Sequence, residues 1–261
     1  MQLSRELNSS FKNFLETIDH KILYTPKIIP AAHTRLICFS YAGGNSATFL
    51  PWLKFLPLDI ELVVVQLPGR GCRLFEQPIE TMSEVVSLIA GMVASRADKE
   101  LVFFGHSLGA KVAYEVIRHL DKANFVLPRM FFASGSSSPF ARRDLDCIHT
   151  LPDAEFISKL RELNGTPEAV LENPEIMELV MPALRADFKI VENYQNHEDS
   201  ILPVELSLFC GREDTIPKED ILSWMPLFES NLGVSHFDGG HFFIDNSAPE
   251  VVEKLSASIL A

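Results

Sequence analysis

The chain of 261 residues is 47% hydrophobic and 22% charged, a composition typical of a folded globular protein and not of a disordered one. Its 35 Asp and Glu residues outnumber its 23 Lys and Arg residues, which gives a formal net charge of −12. Such a surface repels phosphate backbones and no Lys/Arg-rich run offsets it, so we expect no nucleic-acid partner.

The first segment, residues 1–25, is predicted to form an N-terminal helical extension. Its apolar residues recur at spacings of three and four, which is typical of a helix that packs on the body of the protein or, alternatively, docks a partner. They are Leu3, Leu7, Phe11, Phe14, Leu15 and Ile18. The segment lacks the apolar core of a signal peptide, and no stretch of the chain reaches the roughly 20 apolar residues that span a bilayer. We therefore expect a cytoplasmic protein with no membrane partner.

Residues 26–261 are predicted to form one α/β domain. Short apolar runs without polar alternation predict buried strands at residues 36–41, 60–65, 101–104, 130–133, 204–209 and 234–237. Helical patterns accompany them at residues 49–56, 82–97, 111–120 and 249–260. Strands of this kind, separated by helices, indicate a mostly parallel central sheet with helices on both faces.

The alternation of strands and helices stops at about residues 140–200. Two helix-like segments, near residues 154–163 and 174–192, follow one another there without a strand between them. We interpret this region as a helical lid insertion, because insertions in a regular α/β domain lie at the edge where ligands bind.

A candidate nucleophile follows the strand at residues 101–104. The pentapeptide at residues 105–109 reads G-H-S-L-G and matches the G-x-S-x-G nucleophile elbow, in which small flanking residues let strand and helix pass closely. The alternative, a nucleotide-binding turn, needs a Walker A pattern, and Lys111 stands at the wrong spacing for one. Ser107 is therefore the predicted nucleophile.

The base is expected on a late loop, because in this fold the partners follow the serine in the order acid, then histidine. His241 follows the last predicted strand in a loop that contains two glycines. His236 lies within that strand and His106 within the elbow, where its side chain points away from the nucleophile's face. These positions predict His241 as the base.

The acid is expected after the strand at residues 204–209. Asp214 lies in the loop that follows it, where a carboxylate can orient the imidazole and stabilise its cation. Glu213 is the first alternative, and Asp238, which is close in sequence to the histidine, is the second. A loop aspartate alone more often forms a turn, so the place in chain order is what favours Asp214.

Two backbone N–H groups are needed to hold the oxyanion of an acyl-transfer intermediate. Leu108 offers one because it directly follows the nucleophile. The loop after the first long strand, Y-A-G-G at residues 41–44, offers the other, and we select Ala42. A simple glycine turn is the alternative interpretation of that loop.

The cysteines give no indication of a metal or redox site. No two of Cys38, Cys72, Cys147 and Cys210 form a C-x-x-C pair. This spacing supports neither a zinc site nor a redox motif. We expect no metal, no cofactor of the enzyme, and the reducing compartment of the cytoplasm.

Four segments carry a family resemblance: F-S-Y-A-G-G at residues 39–44, V-Q-L-P-G-R-G at 65–71, F-G-H-S-L-G at 104–109 and G-G-H-F at 239–242. They resemble the type II thioesterases of nonribosomal peptide and polyketide synthesis, members of the α/β-hydrolase superfamily, and are similar to the animal medium-chain acyl thioesterase. R-A-D at residues 185–187 also looks like family sequence. The family's triad roles carry over to Ser107, Asp214 and His241, and its oxyanion donors to Ala42 and Leu108.

The resemblance implies a substrate and a partner. The substrate would be an acyl thioester on the 4′-phosphopantetheine arm of a carrier protein, and hydrolysis would remove misprimed or stalled acyl groups. The enzyme would act as a monomer on acyl or peptidyl carrier protein domains of a synthase. Apolar lid residues would cover the acyl chain or, equally, pack the lid helices: Phe156, Leu160, Leu163, Ile176, Leu179, Val180 and Leu184.

Carrier proteins commonly present an acidic recognition face, so docking would require a local basic cluster on this acidic chain. The candidates are Arg70, Arg73, Arg142 and Arg143. Arg70 has an alternative structural role, in which it fixes its own loop through backbone hydrogen bonds.

Three other functions stay open on the same scaffold. One is an esterase, lipase or medium-chain acyl thioesterase for free small substrates. The second is an acyltransferase that uses an alcohol or amine in place of water. The third is a binding module without activity, against which the complete set of predicted catalytic residues argues.

Overall fold

The computed structural model describes residues 21–141, 147–195 and 200–261. Within them a seven-stranded sheet has the order β1-β3-β2-β4-β5-β6-β7. The strands are β1 (Leu23–Tyr24), β2 (Thr34–Phe39), β3 (Ile60–Val65), β4 (Glu100–His106), β5 (Met130–Ser134), β6 (Leu202–Gly211) and β7 (Phe228–Phe237). All neighbouring strands are parallel except β1, which is antiparallel to β3.

Helices cover both faces of this sheet. The α-helices are α1 (Met82–Ala94), α2 (Leu108–Lys122), α3 (Asp153–Leu163), α4 (Glu168–Leu171), α5 (Pro174–Asn193), α6 (Lys218–Leu222), α7 (Phe243–Asn246) and α8 (Ala248–Leu260). Short 3-10 helices lie at Ser46–Thr48, Leu50–Lys54, Gly71–Arg73, Ile148–Thr150 and Met225–Leu227.

The hydrophobic core is divided by the sheet, because successive side chains of a strand point to opposite faces. In β2, Ile37 belongs to a cluster that includes buried residues of α1 and α2. Its neighbours Leu36 and Cys38 belong to a second cluster, which includes buried residues of α8. Burial on both faces explains why these strands are continuous apolar runs in the sequence.

Most of the predicted elements are confirmed, and each of the six apolar runs lies in or overlaps a strand. The strand β1 is not predicted by the sequence, since two residues carry no periodicity. The helix predicted at residues 49–56 is wrong in type: the segment forms the 3-10 helix Leu50–Lys54 with Pro51 in its first turn. The buried Phe49 and Trp52 are three residues apart, which suits a helix of three residues per turn.

The region between β5 and β6 carries α3, α4 and α5, which we call the lid. It has its own hydrophobic cluster, separate from the two clusters on the sheet, that includes Phe156, Leu160 and Leu184. Of the helical extension predicted at residues 1–25, residues 1–20 lie outside the described residues. Its end is wrong in type, because Leu23–Tyr24 form the strand β1 and pair with β3. Among the described residues, no helix has both the length and the apolar character to cross a membrane.

Candidate active site

Ser107 lies between the end of β4 and the start of α2, in a strained backbone conformation. Its φ of 56° and ψ of −118° are rarely adopted by a residue with a side chain. Its N–H donates to the carbonyl oxygen of Ser134 at 2.9 Å, which ties the turn to the end of β5. The sheet therefore holds Ser107 in this strained conformation. The residue is half-buried and lies at the carboxyl ends of the strands.

Glycines make this turn possible, since strand and helix backbones pass in direct contact. A Cβ placed on Gly105 would lie 2.4 Å from the carbonyl oxygen of Gly109, and one placed on Gly109 would lie 2.1 Å from that of Phe39. No side chain fits at such distances. The turn thus has the strand-to-helix geometry of a nucleophile elbow.

His241 connects the hydroxyl to a carboxylate. Its Nε2 is 3.0 Å from Ser107 Oγ, and its Nδ1 is 2.9 Å from Asp214 Oδ2. Both are ordinary hydrogen-bond lengths. The structure thus brings together the three side chains that the sequence selects from three separate loops.

The loop after β6 presents Asp214 to the histidine and leaves its neighbour Glu213 exposed. The Asp214 side chain is 3% exposed, whereas Glu213 lies at the surface. Asp238, the other alternative, is exposed and pairs with Arg212. Neither alternative acid contacts His241 through its side chain among the hydrogen bonds of the described residues.

The surroundings of the relay favour a charged Asp214 and a neutral His106. Burial alone would raise the pKa of Asp214, but the hydrogen bond from His241 and those from the backbone N–H groups of Ile216 and Thr215 outweigh it, so the pKa is lowered. The second histidine, His106, is fully buried, with Nδ1 2.9 Å from Ser134 Oγ. Burial and the neighbouring His241 lower the pKa of His106 well below its ordinary value, so His106 is neutral.

The candidate oxyanion donors flank the hydroxyl. Leu108 is the first residue of α2, where a backbone N–H has no acceptor within the helix. Ala42 belongs to the loop after β2, in which the N–H of Gly44 donates to the carbonyl oxygen of Tyr41 at 2.9 Å. Ala42, Ser107 and Leu108 all line one cavity.

That cavity has a volume of about 1090 Å³ and extends from the triad under the lid. The lid contributes an apolar wall, formed by Leu160, Leu163, Leu184, Phe188 and Val191. Other lining residues are polar, among them Ser136, Ser137, Ser138 and Lys111. A serine hydroxyl in such a cavity suits an acyl compound whose chain is apolar.

The thioesterase-domain family model matches residues 34–259, and the match includes all of these site residues. The chain belongs to the thioesterase family. It is 35% identical over 224 residues to the gramicidin S biosynthesis protein GrsT of Aneurinibacillus migulanus, and that match covers 85% of this chain and 88% of GrsT.

Solved structures extend the comparison to the fold of this thioesterase. RedJ, a thioesterase from the prodiginine biosynthetic pathway in Streptomyces coelicolor, is similar with a TM-score of 0.81 and 33% identity over 88% of this chain and 92% of RedJ. The type II thioesterase BorB from the borrelidin biosynthetic cluster gives a TM-score of 0.82 at 26% identity, over 90% of this chain and 96% of BorB. The α/β-hydrolase fold and the resemblance to type II thioesterases are confirmed.

Two of the four arginines predicted to dock a partner do not present their charge at the thioesterase surface. Arg70 is 6% exposed and forms a bidentate ion pair with Asp187. Arg73 is 8% exposed and pairs with Glu76. Because both guanidinium groups are buried and already paired, the docking prediction is wrong for them. Arg142 and Arg143 lie outside the described residues.

The alternative prediction for Arg70, that it fixes its own loop through backbone hydrogen bonds, agrees in part with the structure. Its main partner, however, is a side chain on the lid. Its Nε donates to the carbonyl oxygen of Pro68 at 3.3 Å within its own loop, while the two terminal nitrogens bond Asp187 on the lid helix α5. The sequence carried a signal that Asp187 needs a buried partner, but none that identifies Arg70. Asp187 lies three residues after the buried Leu184 and three before the buried Ile190, so it shares their face and needs a buried partner.

One group of potential metal donors occurs within the described ranges of the thioesterase. Side-chain atoms of Cys147, His149 and Glu192 lie within 4.8 Å of one another in the lid. Glu192 already accepts bonds from the backbone N–H groups of Ile148 and His149 and contacts the imidazole. The cluster is explained as the contact that ties the 3-10 helix Ile148–Thr150 to α5, and it does not include the triad.

Proposed function

We propose that this thioesterase hydrolyses acyl groups from the phosphopantetheine arm of carrier proteins through a Ser-His-Asp triad and an acyl-enzyme. The observation that carries the proposal is the continuous relay from Asp214 through His241 to Ser107, which lines a large, partly apolar cavity. The relay supplies an activated nucleophile. The cavity has room for an acyl chain.

In the first half-reaction, Ser107 Oγ attacks the thioester carbonyl while His241 Nε2 accepts its proton. The backbone N–H groups of Ala42 and Leu108 hold the oxyanion of the tetrahedral intermediate. His241 then gives the proton to the leaving sulfur as the C–S bond breaks. The products are a free thiol on the carrier and an ester on Ser107.

In the second half-reaction, a water molecule attacks the ester carbonyl while His241 accepts one of its protons. The C–O bond to Ser107 breaks, the hydroxyl regains a proton from the histidine, and the fatty or peptidyl acid leaves. Asp214 keeps the imidazole oriented and stabilises its cation in both steps. No step needs a metal or a cofactor of the enzyme.

The kinship with proteins of peptide and prodiginine biosynthesis supports the choice of carrier-bound substrates. In such a pathway, release of misprimed or stalled acyl groups would restore the free thiol of the carrier. We place this reaction in the cytoplasm, where thiols stay reduced, because all four cysteines are free. The enzyme is proposed to act as a monomer.

The alternative is an esterase or medium-chain acyl thioesterase for free small substrates. The apolar lining of the cavity is compatible with this alternative, because it accepts an acyl chain whether or not a carrier holds that chain. The two proposals differ in what they require outside the cavity, since only the first needs contacts with a carrier domain.

The deciding experiment compares acylated carrier proteins, the same acyl groups on N-acetylcysteamine, and p-nitrophenyl esters. Carrier-bound substrates are expected to have the highest kcat/KM with the wild type, and Ser107→Ala is expected to hydrolyse none of them. Ser137→Ala is the matched control and should keep its activity. Ser137 lines the same cavity, but its hydroxyl lies near Lys111 and is not part of the relay. Full activity of Ser107→Ala would overturn the mechanism, and equal kcat/KM for free and carrier-bound thioesters would favour the alternative.

A second measurement tests the remaining docking prediction. If Arg142 and Arg143 contact an acidic carrier, the KM for acylated carrier protein should rise with salt and rise further in the Arg142→Glu/Arg143→Glu variant. A KM that does not depend on salt would remove these arginines from the docking surface. The p-nitrophenyl ester serves as the substrate on which the variant should behave like the wild type.

A further inference from the structure

A hydrogen bond from a backbone N–H to a side chain attaches the loop at residues 41–44, which we call the oxyanion loop, to the lid. The N–H of Gly43 donates to Asp187 Oδ2 at 2.7 Å, and Asp187 lies on the lid helix α5. Gly43 has a φ of +77°, so the loop turns sharply at this residue. The bond fixes the plane of the peptide that follows Ala42.

The peptide that precedes Ala42 is fixed as well. The carbonyl oxygen of Tyr41 accepts the N–H of Gly44 at 2.9 Å, which holds that oxygen on the inner side of the turn. In a trans peptide the N–H points opposite to the carbonyl, so the Ala42 N–H points outward from the turn. With both flanking peptides held, the direction of the proposed oxyanion donor is set.

Asp187 is itself held rigidly. It is fully buried, and the terminal nitrogens of Arg70 bond both of its oxygens, with Nη2 2.9 Å from Oδ1. A bidentate guanidinium pair fixes the plane of a carboxylate as well as its charge. Arg70 in turn bonds the carbonyl oxygen of Pro68, so three separate segments meet at this carboxylate.

Packing of α5 on the same two loops accompanies the hydrogen bonds. A Cβ on Gly43 would lie 2.4 Å from Leu184 Cδ2, and one on Gly69 would lie 3.3 Å from Ala183 Cβ. Ala183, Leu184 and Asp187 therefore form one face of α5 that contacts the oxyanion loop and the loop of Arg70. The lid helix has little freedom to shift without moving these loops.

Stability alone is a weak reason to keep this pair. Removing two charges from water costs free energy that their attraction often does not recover, and apolar pairs of similar volume are often as stable. A buried carboxylate that accepts a backbone N–H next to the oxyanion donor has a clearer use in the reaction, because oxyanion donors must be oriented before charge develops.

We propose that Asp187, oriented by Arg70, is a positioning residue that fixes the Ala42 N–H for the transition state, so that a lid residue controls the rate of acyl transfer. The inference rests on the proposed function, since it assumes that an oxyanion forms beside Ala42. It assigns a role to the arginine of the L-P-G-R run and to the aspartate of the R-A-D run, neither of which touches the substrate.

The test removes the pair without leaving a buried charge. In Arg70→Met/Asp187→Leu, apolar side chains replace both partners, and we expect a thermal midpoint close to that of the wild type. We expect kcat to fall on the order of 10- to 100-fold with KM little changed, somewhat less than the 10²- to 10³-fold loss of a whole oxyanion donor. Single variants are less informative because each leaves one buried charge unpaired.

The affinities of two ligands distinguish a misplaced Ala42 N–H from a general disruption of the active site. An acyl-chain boronic acid forms a tetrahedral adduct on Ser107 and should lose affinity by the same factor as kcat, because its oxygen occupies the oxyanion site. An S-alkyl pantetheine thioether, which forms no oxyanion, should bind as it does to the wild type. Equal loss of both ligands would show a merely structural role and overturn the proposal.

A conservative variant provides a rescue. Arg70→Gln/Asp187→Asn removes both charges but keeps an amide oxygen that can accept the Gly43 N–H, and it should recover most of the kcat that the Met/Leu pair loses. A folded Met/Leu variant with wild-type kcat, or a Gln/Asn variant no better than it, would overturn the proposal.

The matched control is another buried pair with an arginine, between Arg35 on β2 and Glu61 on β3. Both residues lie near the amino ends of their strands, opposite the triad. Arg35→Met/Glu61→Leu can change the thermal midpoint but should leave kcat unchanged. Ser107→Ala separates a failure of this inference from a failure of the proposed function. If Ser107→Ala is inactive while the Arg70→Met/Asp187→Leu variant keeps full activity, only this inference fails. An active Ser107→Ala overturns the proposed function as well.

Discussion

Two regions of the protein are stabilised by different kinds of contact. One is the set of loops at the carboxyl ends of the strands that carries Ser107, Asp214 and His241, which we call the catalytic edge, and the other is the lid. At the catalytic edge, backbones touch: virtual Cβ atoms on Gly105, Gly109 and Gly211 would all lie within 2.5 Å of a backbone atom. In the lid, side chains carry the packing, for example Arg185, whose guanidinium carbon lies 4.4 Å from the ring centroid of Phe156. Backbone contacts therefore hold the turns of the edge, whereas side chains hold the lid together and form its part of the cavity wall.

The largest expected effect tests the edge through its acid. Asp214→Asn should lower kcat about 10⁴-fold, because the amide no longer stabilises the imidazolium or holds the reactive tautomer. Glu213→Gln and Asp238→Asn are the matched controls and should keep wild-type kcat, because both residues are exposed and neither side chain bonds His241 among the described hydrogen bonds. Steady-state hydrolysis of a p-nitrophenyl ester measures all three. A comparable loss in Glu213→Gln would identify the wrong acid.

The three positions of the proposed triad could be brought together from the sequence because each follows a strand, and parallel strands deliver their following loops to one edge. Ser107, Asp214 and His241 are far apart in sequence, but their order and their loops are visible in it. The contact of Arg70 with Asp187 could not be predicted in this way. The two residues are 117 positions apart, and no periodicity indicates how a lid helix lies on a loop.

The lid is where the sequence was least informative about function. Leu160, Leu163 and Leu184 line the cavity, but Phe156 is buried in the lid's own cluster, while Ile176 and Leu179 are exposed. An apolar pattern shows that a helix has a buried face and does not show whether a neighbouring helix or a substrate covers it. That distinction depends on tertiary packing.

A second prediction concerns the backbone contacts of the edge. Gly109→Ala should destabilise the protein on the order of 4 kcal/mol or prevent folding, because its Cβ would meet backbone and not a movable side chain. Gly91→Ala is the control: nothing lies within 4 Å of its Cβ on α1, and the change should stabilise the protein by about 1 kcal/mol. Urea unfolding measures both. A fully stable Gly109→Ala would contradict the proposed backbone origin of the rigidity.

A third prediction concerns the lid. Phe156→Ala should cost about 3 kcal/mol of packing free energy in the lid, because the ring is fully buried there. We expect a higher KM for long acyl chains and an unchanged kcat for a short ester, since the triad lies on other elements. Phe104→Ala in β4 is the matched control, with the same side chain and burial, and should lower stability and all activities together. A Phe156→Ala enzyme that loses short-ester activity would remove the distinction between lid and edge.

The smallest expected effect is a pH dependence of stability at the edge. His106 is fully buried beside the nucleophile, and burial together with His241 lowers the pKa of its imidazole. Below a pH of about 6.5 the unfolded chain binds a proton at this residue that the folded chain does not bind. Stability must then fall as the pH falls, by at most about 1.4 kcal/mol per pH unit, until the folded imidazole is protonated too.

The measurement compares the free energy of unfolding of the wild type and of His106→Gln between pH 5 and 7. The glutamine cannot titrate, yet its amide can keep a hydrogen bond to Ser134 Oγ, which the imidazole makes at 2.9 Å. The variant is expected to be less stable at pH 7, where the neutral ring packs well, and to lose less stability on acidification. Equal slopes in the two proteins would mean that the ring takes up its proton within the fold. In that case the edge would tolerate a charge beside the nucleophile, and its rigidity would not depend on keeping this histidine neutral.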